Sequence, residues 1–258
     1  MQNILFEVAD QTGVITLNRP KVYNSFNREM ALEVQQALDA CAANSDVRAI
    51  FLTGAGKAFC AGQDLQEVSG PDAPGFKKIL GEHYNPIIQR LRDIEKPIVC
   101  GVNGVAAGAG ANIALACDIT VAATSASFIQ AFSKIGLIPD SGGTFFFPRL
   151  IGWQKAAALM MLGEKVTAAE AEAMGMIYKV LPDESFHEKA LGIAKTLAQM
   201  PTRGLMLTKR LLNLSLRNNL EEQLMAEDRY QYEAGNTCDY REGVAAFLEK
   251  RNPVFKGE

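Results

Sequence analysis

Two β-rich runs open the chain, Ile4-Leu5-Phe6-Glu7-Val8 and Gly13-Val14-Ile15-Thr16-Leu17, and the Asp10-Gln11-Thr12-Gly13 junction between them predicts a hairpin that ends at Asn18-Arg19-Pro20. Ser25 is a candidate cap for a helix in which Met30, Val34 and Leu38 recur at four-residue spacing, with Ala31 and Gln35 off that stripe. Residues 48–53 form an apolar run expected as a buried strand, followed by a loop over 54–65. The Pro- and Gly-rich segment 69–75 reads as a mobile surface loop. A helix is expected over 76–93, a strand over 98–102, a short helix around 111–116 and a strand over 119–123.

This alternation of strand, loop and helix predicts an α/β fold with a mostly parallel sheet and crossover helices. Beyond Trp153 the pattern turns helical, with helices expected over 155–162, 168–174, 185–199, 202–217, 220–233 and 241–250 and a short extended piece at 178–181. The chain therefore divides into a core domain over 1–195 and a helical region over 196–258, which suits a lid or an assembly surface as well as ordinary packing. Residues 97–117 carry no charge and have the length of a membrane span, but four glycines and two asparagines favour a buried strand and a glycine loop.

Composition adds exclusions. The 26 basic and 29 acidic residues give a net charge of -3 without long runs of either sign, which argues against a nucleic-acid partner. The five cysteines are scattered, without CxxC spacing, so neither a disulfide framework nor a metal site is expected. The first residues, Met1-Gln2-Asn3-Ile4-Leu5-Phe6-Glu7, lack a basic stretch followed by an apolar one, so a cytoplasmic protein without a membrane partner is expected.

Candidate chemistry centres on Asp140, in Gly136-Leu137-Ile138-Pro139-Asp140-Ser141-Gly142-Gly143-Thr144. Ile138, Phe145, Phe146 and Phe147 would strip water from this carboxylate and raise its pKa, making it a proton carrier; capping the next segment is the alternative. Two small-residue loops, Phe59-Cys60-Ala61-Gly62-Gln63-Asp64-Leu65 and Gly104-Val105-Ala106-Ala107-Gly108-Ala109-Gly110-Ala111-Asn112, each follow a strand and lead toward a helix. Such loops expose backbone N–H groups that together could form an oxyanion hole. The second loop is a poor dinucleotide fingerprint, and Gly54-Ala55-Gly56-Lys57 lacks phosphate-loop spacing. His83, on an expected surface helix, and His187, at a charged helix start, read as solvated or structural.

Several of these segments together resemble the enoyl-CoA hydratase/isomerase (crotonase) family. They are Leu17-Asn18-Arg19-Pro20-Lys21, Phe59-Cys60-Ala61-Gly62-Gln63-Asp64-Leu65, Lys96-Pro97-Ile98-Val99 with Asn103-Gly104, Ala116-Cys117-Asp118 and Gly136-Leu137-Ile138-Pro139-Asp140. The resemblance implies a crotonase-like spiral of ββα units with a helical C-terminal region, assembled as a homotrimer or a dimer of trimers. It places an oxyanion hole on the backbone N–H groups of Gln63 and Ala109, with Asp140 as the acid/base. It also implies substrate contacts at Lys21, Ala61, Gly62, Asp64, Leu65, Gly108, Asn112 and Phe132. Arg19, Lys250, Arg251 and Lys256 are further candidates for phosphate contacts, and Tyr84, Ile88, Phe132, Phe145 and Phe146 for the acyl pocket.

The two glutamates of the family's hydratases fall on Asn112 and Phe132, so neither carboxylate is present. Hydration needs paired acid/base groups around a water, whereas one carboxylate suffices to move a proton between carbons. The resemblance thus implies an acyl-CoA isomerase, with coenzyme A as part of the substrate and no other cofactor. The segments Tyr84-Asn85-Pro86, Ala131-Phe132-Ser133-Lys134-Ile135-Gly136 and Asp239-Tyr240-Arg241-Glu242-Gly243-Val244 are closest to members acting on the ring epoxide of phenylacetyl-CoA. Shifting a 3-enoyl-CoA double bond, or a non-catalytic CoA-binding role, are the alternatives.

Overall fold

The computed structural model describes residues 1–69 and 73–258; of the loop expected over 69–75, residues 70–72 lie outside the described residues. Strands β1 (Ile4–Ala9) and β2 (Thr12–Leu17) pair antiparallel as expected. Asp10 and Gln11 between them both have positive φ (49° and 58°), the backbone that a two-residue turn needs to match the strand twist. Helix α1 (Arg28–Ala43) is capped by Asn27, whose side chain accepts from the Met30 N–H, and not by Ser25, which is buried with its carbonyl on Arg19. Ala31 and Gln35 are buried along with the Met30, Val34 and Leu38 stripe, because α1 is covered on a wider face than that stripe. Gln35 donates its amide to the carbonyls of Glu82 and His83.

From here the chain winds in repeating units. Strands β3 (Ala49–Gly54) and β4 (Ala58–Cys60) lead through α2 (Phe76–Lys78), a π-helical turn (Ile79–Tyr84) and α3 (Asn85–Asp93). Next come β5 (Ile98–Val102), β6 (Val105–Ala107) and α4 (Ala109–Ala116), then β7 (Ile119–Ala123), β8 (Ser127–Ile129), α5 (Gly143–Ile151) and α6 (Trp153–Leu162). The remainder is β9 (Lys165–Thr167), α7 (Ala168–Ala173), β10 (Lys179–Leu181), α8 (Phe186–Ala198), α9 (Thr202–Ser215), α10 (Leu220–Gly235) and α11 (Cys238–Glu249).

The first strand of each unit joins a six-stranded sheet, β1-β2-β3-β5-β7-β10, and the second joins a four-stranded sheet, β4-β6-β8-β9. The result is a spiral of ββα units with two sheets where one was expected. The second sheet escaped the sequence reading because its strands are three residues long, too short to show a period. Helix α5 was also missed. The charge-free run 97–117 forms β5, β6 and α4 inside the core, and among the described residues no helix is long and apolar enough to cross a membrane.

The boundary expected after residue 195 falls inside α8, which packs on β3 and β5 of the large sheet. Helix α9 is tied down as well: Lys209 reaches Asp118 at 2.8 Å, and Arg48 donates to the Thr202 hydroxyl at 2.7 Å and to the Phe255 carbonyl at 2.9 Å. Helices α10 and α11 present Leu224, Met225, Tyr232 and Phe247 to solvent.

Candidate active site

Parallel pairing of β4 with β6 sets Cys60 beside Ala106, so the two glycine loops leave the small sheet side by side. Gly62 has φ +92°, and a Cβ there would stand 3.0 Å from the Ala107 carbonyl oxygen and 3.7 Å from the Ala109 nitrogen. Only glycine permits both that backbone and that approach.

The Gln63 loop is held by an isolated parallel bridge to Phe26: the Phe26 N–H donates to the Gly62 carbonyl at 2.7 Å, and the Asp64 N–H donates to the Phe26 carbonyl at 2.8 Å. Alternation along an extended chain turns the N–H of Gln63 itself away from Phe26. Ala109 is the first residue of α4, so its N–H is one of the four that no helical carbonyl can reach. The two amides thus lie on adjoining loops, and N–H groups at a helix start are the kind that attract negative charge. Phe132 packs over this corner, 3.7 Å from where a Gly108 Cβ would stand.

Asp140 is joined to α4 through Asn112. Its carbonyl accepts from Asn112 Nδ2 at 2.8 Å and from the Gly143 N–H at 2.8 Å, while Asn112 Oδ1 accepts from Gln130 at 2.7 Å. Both ends of the Asn112 amide are thus taken, and Asn112 is a buried strut beneath the Asp140 turn where a substrate contact was expected. After Asp140 the backbone turns through two left-handed residues, Ser141 (φ 51°) and Gly142 (φ 72°), and the Ser141 hydroxyl donates to Asp140 Oδ1 at 2.8 Å.

Burial pushes the Asp140 carboxyl above the usual range, with the Ser141 hydrogen bond acting the other way. The apolar wall expected around it is only partly present. Ile138 is 81% exposed and Phe145 is also on the surface. Phe147 is buried, and Phe146 and Ile88 both lie beside Gly142, next to the Asp140 turn.

Tyr84 is buried, and its hydroxyl donates to Gln63 Oε1 at 2.7 Å. Burial, together with nearby acidic groups that include Asp140, holds this phenol well above its ordinary pKa. Gln63 Nε2 donates to Glu67 Oε2 at 2.7 Å, and Glu67 Oε1 accepts from the Arg28 N–H at 2.7 Å. The sequence reading used only the backbone of Gln63 and missed Glu67, since nothing in a linear pattern signals a side-chain link between residues 63 and 84.

Lys21 is exposed on a 3₁₀ turn (Pro20–Val22) next to Tyr23, whose carbonyl accepts from the Ala61 N–H at 3.0 Å, so it stands at the rim of the Gln63 loop. Ala61 and Leu65 are exposed on that loop. The Asp64 carboxylate turns away to Arg19 Nη2 at 2.9 Å, so neither group of this pair is left over for a ligand. Arg251, expected as a phosphate contact, is engaged by Glu242 and Glu249, whereas Lys250 caps α11 on the surface. His83 is fully buried, contrary to the surface position expected, and both of its ring nitrogens lack a hydrogen-bond partner.

The family model for enoyl-CoA hydratase/isomerase matches residues 7–258. Over 262 residues, covering 100% of both chains, the protein is 46% identical to the 1,2-epoxyphenylacetyl-CoA isomerase of Escherichia coli. It is 43% identical to a Rhodobacter capsulatus protein named "probable enoyl-CoA hydratase", with 98% of each chain covered. Among solved structures, the enoyl-CoA hydratase of Bacillus anthracis matches with a TM-score of 0.93 at 34% identity, over 100% of both chains.

Proposed function

Because the chain belongs to the enoyl-CoA hydratase/isomerase family, we propose that it is an acyl-CoA isomerase whose preferred substrate is the ring-1,2-epoxide of phenylacetyl-CoA, rearranged to the seven-membered oxepin. The thioester oxygen sits between the N–H groups of Gln63 and Ala109, which stabilise it as it becomes enolate-like; one such donor contributes about 2.7–4 kcal/mol to the transition state. On a 3-enoyl-CoA substrate, a second activity, Asp140 takes a proton from the carbon beside the thioester and returns it two carbons farther along. The ring expansion leaves the proton count unchanged and relies chiefly on polarisation of the thioester.

One observation carries this reading: Asp140 has a hydroxyl but no cation on its carboxylate among the described residues, while its neighbours Asn112 and Phe132 are neutral. A lone desolvated carboxylate suits proton movement between carbons better than addition of water. The 46% identity to an epoxyphenylacetyl-CoA isomerase supports the aromatic substrate. Lys21 and the Gly62 and Gly108 loops border the thioester end, and Phe132 the acyl end. The exposed apolar side chains of α10 and α11 support assembly into trimers or paired trimers.

The test is to incubate the protein and its Asp140→Asn variant with 3-hexenoyl-CoA and with enzymatically made ring epoxide, following products by mass spectrometry. Isomerisation of both substrates by the native protein and loss of the double-bond shift in the variant are expected. Hydration of crotonyl-CoA at a rate matching isomerisation would favour a hydratase instead, the activity named for the Rhodobacter relative.

A further inference from the structure

We propose that Tyr84 and Glu67 are positioning residues that clamp the Gln63 side chain and thereby set the direction of the Gln63 backbone N–H. This rests on the reading above, in which that amide is half of the oxyanion hole. The need for a clamp comes from Gly62. With no Cβ and φ at +92°, Gly62 leaves the peptide between residues 62 and 63 free to rotate, and such a rotation would swing the Gln63 N–H out of the site.

Two sets of bonds oppose it. The backbone set is the bridge to Phe26, at 2.7 and 2.8 Å. The side-chain set uses both ends of the Gln63 amide: Oε1 accepts from the Tyr84 hydroxyl at 2.7 Å, and Nε2 donates to Glu67 Oε2 at 2.7 Å. Each anchor is itself fixed. The Tyr84 ring is buried edge-on against Phe26 at 5.8 Å, so the same residue backs both sets. The second carboxylate oxygen of Glu67 accepts from the N–H of Arg28, the first residue of α1, where a helix terminus favours negative charge.

Glutamine suits this place because its amide offers one acceptor to a phenol and one donor to a carboxylate. A purely structural role for Tyr84 would lower stability and leave the polarity of the bound thioester unchanged. A clamp does the reverse, because a small misplacement of a donor weakens transition-state stabilisation more than substrate binding.

The experiment compares native protein with Tyr84→Phe, Gln63→Ala, the double variant and Asp140→Asn. It measures kcat and KM on 3-hexenoyl-CoA and the infrared carbonyl stretch of bound hexanoyl-CoA, a saturated thioester that cannot react, labelled with ¹³C. The native protein is expected to shift the carbonyl to lower frequency. Tyr84→Phe is expected to lose part of that shift and about 10-fold in kcat, less than the ~100-fold for deleting a donor outright, with KM within about 2-fold.

The double variant should be no worse than Gln63→Ala, since both changes break the same bond. Native kcat and native carbonyl frequency in Tyr84→Phe, or additive losses in the double variant, would overturn the clamp while leaving the isomerase reading intact. No carbonyl shift in the native protein would overturn both. Should Tyr84→Phe fail to fold by circular dichroism, Glu67→Ala, which removes the acceptor of Gln63 Nε2, reports on the other anchor with the same carbonyl measurement, and a native frequency there overturns the clamp equally.

Discussion

Asp118 and Asp140 are both drawn partly out of solvent, and their surroundings are opposite. The carboxylate of Asp118, between α4 and β7, meets Lys209 at 2.8 Å, Arg92 at 3.4 Å and the Ile98 N–H at 2.9 Å. That of Asp140 meets the Ser141 hydroxyl at 2.8 Å and its own backbone N–H, with no cation among the described residues. Two cations and an amide thus face the Asp118 carboxylate, whereas the burial of Asp140 without a cation beside it, among the described residues, favours proton uptake. The first carboxylate joins the sheet to helix α9; the second is the acid/base we propose.

The sharpest way to break this contrast is to neutralise each carboxylate in turn. Asp140→Asn is expected to lower the double-bond shift by about 10²- to 10⁴-fold, the usual contribution of a positioned acid/base group. Its melting temperature should be no lower than that of the native protein, because a desolvated charge has been removed. Calorimetry beside a steady-state assay checks both parts. Asp118→Ala should do the opposite. It leaves the buried Lys209 without its counter-charge, and the expected loss is about 3–5 kcal/mol in urea denaturation, with kcat of the remaining folded protein unchanged.

Smaller effects sharpen the comparison. A base must be ionised to accept a proton, so kcat should rise with pH through the pKa of Asp140 and level off above it. Since burial raises that pKa from 3.8, the acidic limb should lie above the ordinary carboxylate range. Ser141→Ala removes the hydrogen bond that lowers the pKa, and pH–rate profiles at saturating thioester should show the limb displaced to still higher pH.

The smallest expected effect concerns His83, a buried titratable group whose ring nitrogens have no hydrogen-bond partner among the described residues. Burial lowers its pKa from 6.5, with the charge of Arg28 acting the same way and those of Glu67, Glu82 and Glu29 opposing it. The unfolded chain therefore binds a proton that the folded one resists. The contribution is full above about pH 6.5 and is lost as pH falls below it. Melting temperatures measured between pH 5 and pH 8 should show this loss, and His83→Met should flatten it.

The opening hairpin, α1, strands β3, β5 and β7 of the large sheet and the C-terminal helices were all readable because each is long enough to show its period, while the three-residue β10 was read only as a short extended piece. The four strands of the small sheet were not, and they are the ones that bring the Gln63 and Ala109 loops together. Asp140 was found from its own segment, but the wall assigned to it was partly wrong: neighbours in sequence such as Ile138 face solvent, whereas Phe146 and Ile88 come to the turn from two different helices. Asn112 and Asp64 were expected as substrate contacts, yet their side chains are bound by Asp140's own backbone and by Arg19.

What the amino-acid sequence determined by itself was the kind of chemistry: small residues where backbone amides must be reached, one carboxylate on a glycine turn, and no acid at Asn112 or Phe132. These are local properties, written in residue type and spacing. Tertiary structure alone decided which polar groups are spent on one another and which remain free. Whether a carboxylate meets Lys209 or only Ser141, and whether the Gln63 amide is held by Tyr84, depends on residues brought together across the fold. No local pattern records those encounters.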